Sequence, residues 1–140
     1  MKEKKTVLFV CTHNSARSQM AEGMMNAFYG DWYAAYSAGT HPTAVNPHAV
    51  KVLSEIDVDI SGNRSKAVDV FAGQKFDYVV TVCDNAKKEC PVFPGAKKYI
   101  SASFENPSEF RGTEKEVMAK FRGVRDEIRE WMKASFIDGA

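Results

Sequence analysis

The sequence predicts an α/β fold in which a parallel sheet is covered by helices on both faces. Two continuous apolar runs, TVLFVC (Thr6 to Cys11) and FDYVVTVC (Phe76 to Cys83), read as buried strands. Strand candidates alternate with helical segments at spacings that imply right-handed βαβ units. A length of 140 residues suffices for one sizeable core, so a single domain is expected over residues 1–140.

The elements follow in chain order. After the first strand, good helix formers run unbroken from Ala16 to Tyr29 and stop at Gly30. WYAAYSAG (Trp32 to Gly39) is the second strand candidate. In NPHAVKVLSEI (Asn46 to Ile56) an Asn N-cap followed by Pro at the first helical position marks a helix start. The Phe76 to Cys83 strand comes next, then a short strand near Ala96 to Ile100. A last long helix is expected from Thr113 to Phe136, where Val117, Phe121, Val124, Ile128 and Trp131 recur at spacings of 4, 3, 4 and 3 along one apolar face. Over so few heptads that stripe reads as a helix packed on its own sheet rather than a coiled coil.

Composition excludes several functional classes. Lys and Arg total 19 against 18 Asp and Glu, and a net charge of +1 gives no electrostatic case for nucleic acid or an anionic membrane surface. No window is apolar enough to span a bilayer, and the run Val7 to Val10 is too short for a signal-peptide core, so a cytoplasmic protein is expected. Three cysteines are an odd count. In a reducing compartment they point to reactive or buried thiols rather than a disulfide framework.

The chemistry concentrates between the first strand and the first helix. In Cys11-Thr12-His13-Asn14-Ser15-Ala16-Arg17-Ser18, backbone N–H groups can converge on a tetrahedral oxyanion at a helix N-terminus. Arg17 adds a bidentate fork suited to two oxygens of phosphate or arsenate. The same positive setting favours a thiolate at Cys11, and Ser18 can donate its hydroxyl to the sulfur. Asn14 tolerates the left-handed backbone such a tight loop needs. Ligands of open parallel sheets sit outside the carboxyl ends of the strands, where Cys11 and Cys83 both fall.

VLFVCTHNSARSQMAEG resembles the phosphate-loop signature shared by low-molecular-weight protein tyrosine phosphatases and thioredoxin-coupled arsenate reductases. The likeness extends over essentially the whole chain, through SAGT (Ser37 to Thr40), DIS (Asp59 to Ser61), VVTVC (Val79 to Cys83), Cys90-Pro91 and FRGVRDEI (Phe121 to Ile128). It implies a four-stranded parallel sheet flanked by helices, of the low-molecular-weight phosphatase type. Gln19 is the reductase variant at a position where the phosphatases usually carry Pro.

The resemblance also implies an order of events. Cys11 attacks arsenate, Cys83 displaces arsenite, and Cys90 resolves the resulting disulfide, which thioredoxin reduces. Residues seven apart on a helix lie about 10 Å apart along its axis, whereas a disulfide needs Cα atoms within about 7 Å. If Cys83 and Cys90 bracket a short helix, the helix must unwind for them to bond. In CDNAKKEC the cap-like Asp84 and Asn85 and the blocking Pro91 make that helix marginal. Half of a zinc site is the weak alternative, since C-x6-C with only His13, His41 and His48 is poor ligand spacing. No cofactor and no metal are expected, and the implied partners are arsenate, with phosphate and sulfate as competing oxyanions, and thioredoxin.

The pattern departs from the family at four places. The general acid is usually an Asp immediately before a Pro, and here that position is Asn106, which cannot transfer the proton; Glu105 is a candidate substitute. His13 stands where Gly is frequent, and Ala16 where many relatives carry another Cys. Some reductases of the family hold a potassium ion beside the loop. Asn14, Glu22 and Ser37 match that set, whereas Arg64 and Lys66 replace its other oxygen ligands and make Lys66 a candidate internal counter-ion. Two other readings remain: a low-molecular-weight tyrosine phosphatase using Cys11 and Arg17, and a redox-sensing or oxyanion-binding module without catalysis.

Overall fold

A computed structural model describes residues 4–82 and 95–138 of the chain. Four strands, β1 (Lys5–Cys11), β2 (Tyr33–Gly39), β3 (Phe76–Thr81) and β4 (Ala96–Ser101), form one sheet in the order β2-β1-β3-β4. Every neighbouring pair is parallel. The helices are α1 (Arg17–Tyr29), α2 (Pro47–Ser54) and α3 (Glu114–Met132). Short 3-10 turns stand at Val68–Phe71 and Pro107–Glu109, and a π-helical turn, Lys133–Asp138, continues α3. Among the described residues no helix is long and apolar enough to cross a membrane.

The strand expected to reach Cys83 ends at Thr81. Cys83, Cys90 and the helix expected between them lie outside the described residues. The last helix, expected from Thr113 to Phe136, runs as α3 over Glu114–Met132 and continues through the π-helical turn. It buries Phe121, Val124, Ile128 and Met132, while Val117 and Trp131 at the ends of the stripe are only partly covered.

Side-chain alternation along the central strand divides the core in two. Val7, Phe9 and Cys11 face a large cluster built with all three α-helices, including Met20, Met24, Leu53, Phe121 and Ile128. Leu8 and Val10 face the opposite side and pack with Ala38, Phe71, Phe76 and Val79. Cover of both faces by helices was expected. Among the described residues the α-helices share the first face, and the second is closed by Phe71 from the 3-10 turn. The apolar runs in β1 and β3 need burial on both sides, and among the described residues the turn supplies Phe71 and the partly buried Val68 to the second.

Local devices hold the layers in register. Asn46 accepts the His48 amide at the start of α2, and Thr113 and Glu116 form a reciprocal capping box at the start of α3. On edge strand β2, the Asn26 side chain donates to the Ala35 carbonyl at 3.1 Å and accepts its N–H at 2.9 Å, which gives the open edge a partner from α1. Between α2 and α3, buried Arg125 donates to the Val52 carbonyl at 2.8 Å and to Glu55 Oε1 at 3.0 Å, and Arg122 forks onto the same carboxylate.

The bond from Arg122, aided by Arg125 and opposed by partial burial, holds the Glu55 carboxyl below its ordinary value of 4.5. A carboxyl depressed in the folded state contributes stability above its unfolded pKa and loses it as pH falls through the folded one. Glu55→Gln therefore lowers the urea midpoint at pH 7, and the gap from the wild type closes below about pH 4. A gap that persists undiminished at low pH contradicts this account of the clasp.

Candidate active site

The chain leaves β1 at Cys11, on the central strand, where the order of connection reverses from β2 on one side to β3 on the other. Residues 12–16 then lead into α1. The N-cap position of α1 is Ala16, which offers no side-chain bond, and the first turn carries no acidic residue. Helices α2 and α3, in contrast, are both capped by their own side chains. The N-terminal N–H groups of α1 are thereby left for a ligand, and the helix dipole favours an anion there.

The direction of the loop amides is set by what its carbonyls do. The Thr12 carbonyl accepts from His41 N at 2.8 Å, that of His13 from Thr43 N at 3.2 Å, and that of Ser15 from Asn46 N at 2.9 Å. The Asn14 carbonyl accepts from Ser65 Oγ at 2.7 Å and Gln19 Nε2 at 3.3 Å. The Ala16 carbonyl takes Met20 N at 2.8 Å within the helix. In a planar trans peptide the N–H points opposite the C=O. Fastening these five carbonyls outward turns the amides of residues 13–17 toward the concave side of the loop.

Two donors converge on the thiol. Cys11 Sγ lies 2.8 Å from Ser18 Oγ and accepts the Asn14 N–H at 3.2 Å. Asn14 Nδ2 donates to Ser18 Oγ at 2.8 Å, which leaves the serine to direct its own proton at sulfur. The Asn14 amide is oriented in turn by Gln19 Nε2 at 2.9 Å and Lys66 N at 2.9 Å, both donating to its Oδ1. Asn14 has a φ of 51°, the left-handed backbone anticipated from its residue type.

The thiol opens onto a pocket of about 160 Å³ lined by Cys11, His13, Ser15, Ala16, Arg17, Thr43, Asn106 and Ser108. That volume suits a small ion rather than a drug-sized ligand. Arg17, 6% exposed, is steadied by donating one guanidinium N–H to the Phe104 carbonyl at 3.1 Å. Of the residues expected to hold the oxyanion, His13, Ser15, Ala16 and Arg17 line the pocket. Thr12 is fastened to the 40s segment through its carbonyl, and Asn14 is buried beside the thiol.

Glu105, the candidate acid, is not brought to this pocket. Its carboxylate pairs with Lys120 at 3.1 Å and borders a separate hollow beside α3 with Phe110 and Glu116. The backbone at Asn106 is extended, and it is Asn106 that lines the pocket together with the thiol. Asn106 Oδ1 accepts the Ser108 N–H at 3.1 Å. Cys83 and Cys90 lie outside the described residues.

Beside the loop, the residues do not fit the potassium ion that the resemblance raised. Lys66 Nζ sits 3.8 Å from Glu22 Oε1 and donates to the Arg64 carbonyl at 3.1 Å, so its ammonium takes the counter-ion position beside Glu22. Ser37 Oγ donates to the same Glu22 oxygen at 2.7 Å.

Thr43, Ser108 and Gly39 escaped the sequence reading. Thr43 and Ser108 carry no motif. Gly39 had a signal, since it closes the strand that pairs with Cys11. A Cβ at Gly39 would lie 2.5 Å from the Thr12 carbonyl oxygen and 2.8 Å from Asn14 N, so only glycine admits the loop this close.

Residues 6–136 match the low molecular weight phosphotyrosine protein phosphatase family. The chain is similar to an arsenate reductase of Halalkalibacterium halodurans, 45% identical over 130 residues that make up 93% of this chain and 94% of that one. Among solved structures it is similar to an arsenate reductase in a phosphate binding state, with a TM-score of 0.78 and 32% identity over 93% of this chain and 95% of the other. It is also similar to a thioredoxin-dependent arsenate reductase of Corynebacterium glutamicum, with a TM-score of 0.62 and 28% identity over 96% of this chain and 64% of that one.

Gly39→Ala should keep the sheet but displace the loop. Protection of Cys11 from iodoacetamide by inorganic phosphate is expected to weaken on the order of ten- to a hundredfold, with far-ultraviolet dichroism unchanged. Undiminished protection would show that the close approach at Gly39 does not shape the pocket.

Proposed function

The chain belongs to the low molecular weight phosphotyrosine protein phosphatase family, and from that premise we propose that it reduces arsenate to arsenite. The observation that carries this reading is an anion-sized pocket with a hydrogen-bonded thiol at its floor and an amide, Asn106, at the wall facing it. A phosphatase must expel a poor alkoxide or phenoxide and depends on an acid at that wall. Arsenate exchanges its oxygens for thiols more readily, so the change to Asn106 costs a reductase less.

The inward amides of the loop and the Arg17 fork hold three oxygens, and Cys11 attacks arsenic with its sulfur hydrogen-bonded to Ser18 and Asn14. Cys83 then attacks the Cys11 sulfur. The S–As electron pair returns to arsenic, As(V) becomes As(III), and arsenite leaves. Cys90 attacks Cys83 in turn, freeing Cys11 and forming a Cys83–Cys90 disulfide that thioredoxin reduces. Overall, one arsenic acid and two thiols give one arsenous acid, one disulfide and one water. The roles of Cys83 and Cys90 rest on their sequence positions, and thioredoxin dependence in the Corynebacterium relative supports the final donor. Phosphate and sulfate, which share the tetrahedral form, compete for the pocket. The reaction belongs in the cytoplasm, where thiols stay reduced between turnovers.

Thioredoxin-coupled arsenite formation should be lost in Cys11→Ser, Cys83→Ser and Cys90→Ser alike, whereas any hydrolysis of an aryl phosphate should disappear only in the first. After one arsenate turnover, Cys90→Ser should accumulate a Cys11–Cys83 disulfide visible by peptide mapping. Full arsenate turnover by Cys83→Ser would replace the internal relay with an external thiol.

A further inference from the structure

We propose that His13 is the acid that protonates the oxygen leaving arsenic, an assignment that rests on reading the pocket as an arsenate site. The described lining of the pocket contains no carboxylate: it consists of Cys11, His13, Ser15, Ala16, Arg17, Thr43, Asn106 and Ser108. Cys11 is the nucleophile, Arg17 stays charged throughout, and the hydroxyls and amide do not ionise near neutral pH. An imidazole exchanges its proton between about pH 5 and 8, so His13 is the lining group suited to the task.

The ring is held and its tautomer is defined. His13 Nδ1 lies 3.1 Å from the His41 carbonyl, which can only accept, so Nδ1 carries a proton there and Nε2 is the ring nitrogen left for proton transfer. The His13 carbonyl accepts from Thr43 N at 3.2 Å. These two bonds fasten the residue to the segment 41–43 on both its main chain and its side chain. His13 is exposed whereas Cys11 is buried, which places the imidazole at the rim and the sulfur at the floor. In-line displacement by sulfur puts the leaving oxygen on the far side of arsenic, facing that rim. The other charged and titratable groups lining the pocket are Cys11 and Arg17, on the loop and helix of His13 itself, and His41 supplies the carbonyl beside the ring. Glu105 lies outside this pocket, engaged by Lys120.

In this step the Cys11 sulfur lone pair forms the S–As bond. The As–O bond breaks with its electrons on oxygen. That hydroxyl oxygen takes the Nε2 proton and departs as water, while arsenic remains As(V). Neutral His13 regains its proton from solvent before the next turnover.

The test compares single-turnover arsenite formation by the wild type and by His13→Ala and His13→Gln across pH 5.5 to 8.5, with iodoacetamide alkylation of Cys11 as a parallel readout. Both variants are expected to react about a hundredfold more slowly at pH 6. They should also respond to pH less than the wild type does. Added imidazole should restore His13→Ala in proportion to its protonated fraction, and Cys11 alkylation should be unchanged. Arsenite from the wild type with either variant equally fast, or a slow variant that imidazole does not rescue, overturns the assignment alone. No arsenite from the wild type overturns the substrate reading and the assignment with it.

Discussion

The site depends on one constraint: the carbonyls of residues 12–16 are fastened outward. Amides cannot converge on an anion unless the opposite ends of their peptide units are satisfied elsewhere, because a buried carbonyl without a partner costs on the order of 1–3 kcal/mol. Here the partners come from three separate places: the backbone of residues 41–46, the side chains of Gln19 and Ser65, and the first turn of α1. An anion cradle of eight residues therefore requires the correct placement of chain more than 50 residues away. The parallel register of β1 with β2 supplies much of that placement by setting Cys11 beside Gly39.

The same constraint explains choices that look unfavourable in isolation. Helix α1 begins at Ala16 without a side-chain cap, although the other two helices are capped by side chains. A Ser or Asp in that place would take up N–H groups that the pocket uses. Asn14 adopts a positive φ, and its side chain is committed to Ser18, Gln19 and Lys66 rather than to solvent. Stability is recovered away from the site, in the Thr113 capping box, the Asn26 bracket on β2 and the Glu55 clasp between α2 and α3.

Much of this was legible in the sequence. The apolar runs in β1 and β3 could only be buried strands, Asn46-Pro47 marked the start of α2, and the order of residue types from Cys11 to Ser18 named the anion loop. Gln19 stood out by residue type, and its structural work on Asn14 became visible only in three dimensions. The carbonyl anchors from His41, Thr43 and Asn46 were illegible because a main-chain N–H belongs to every residue except proline. Glu105 sits apart from the pocket, which the sequence could not tell: in extended backbone, one step reverses the direction of a side chain. The part that Phe71 plays on the second face was illegible because a buried strand reads the same whatever covers it.

The most direct test of the central claim is a phosphate titration followed by amide resonances. If the outward carbonyls turn the loop amides onto the anion, the proton resonances of Ser15, Ala16 and Arg17 should move downfield together with one dissociation constant. The amides of His41, Thr43 and Asn46, already committed to loop carbonyls, should stay nearly still. Shifts confined to the 40s segment, or phosphate binding without movement of residues 15–17, would contradict the claim that this loop is a preformed anion cradle.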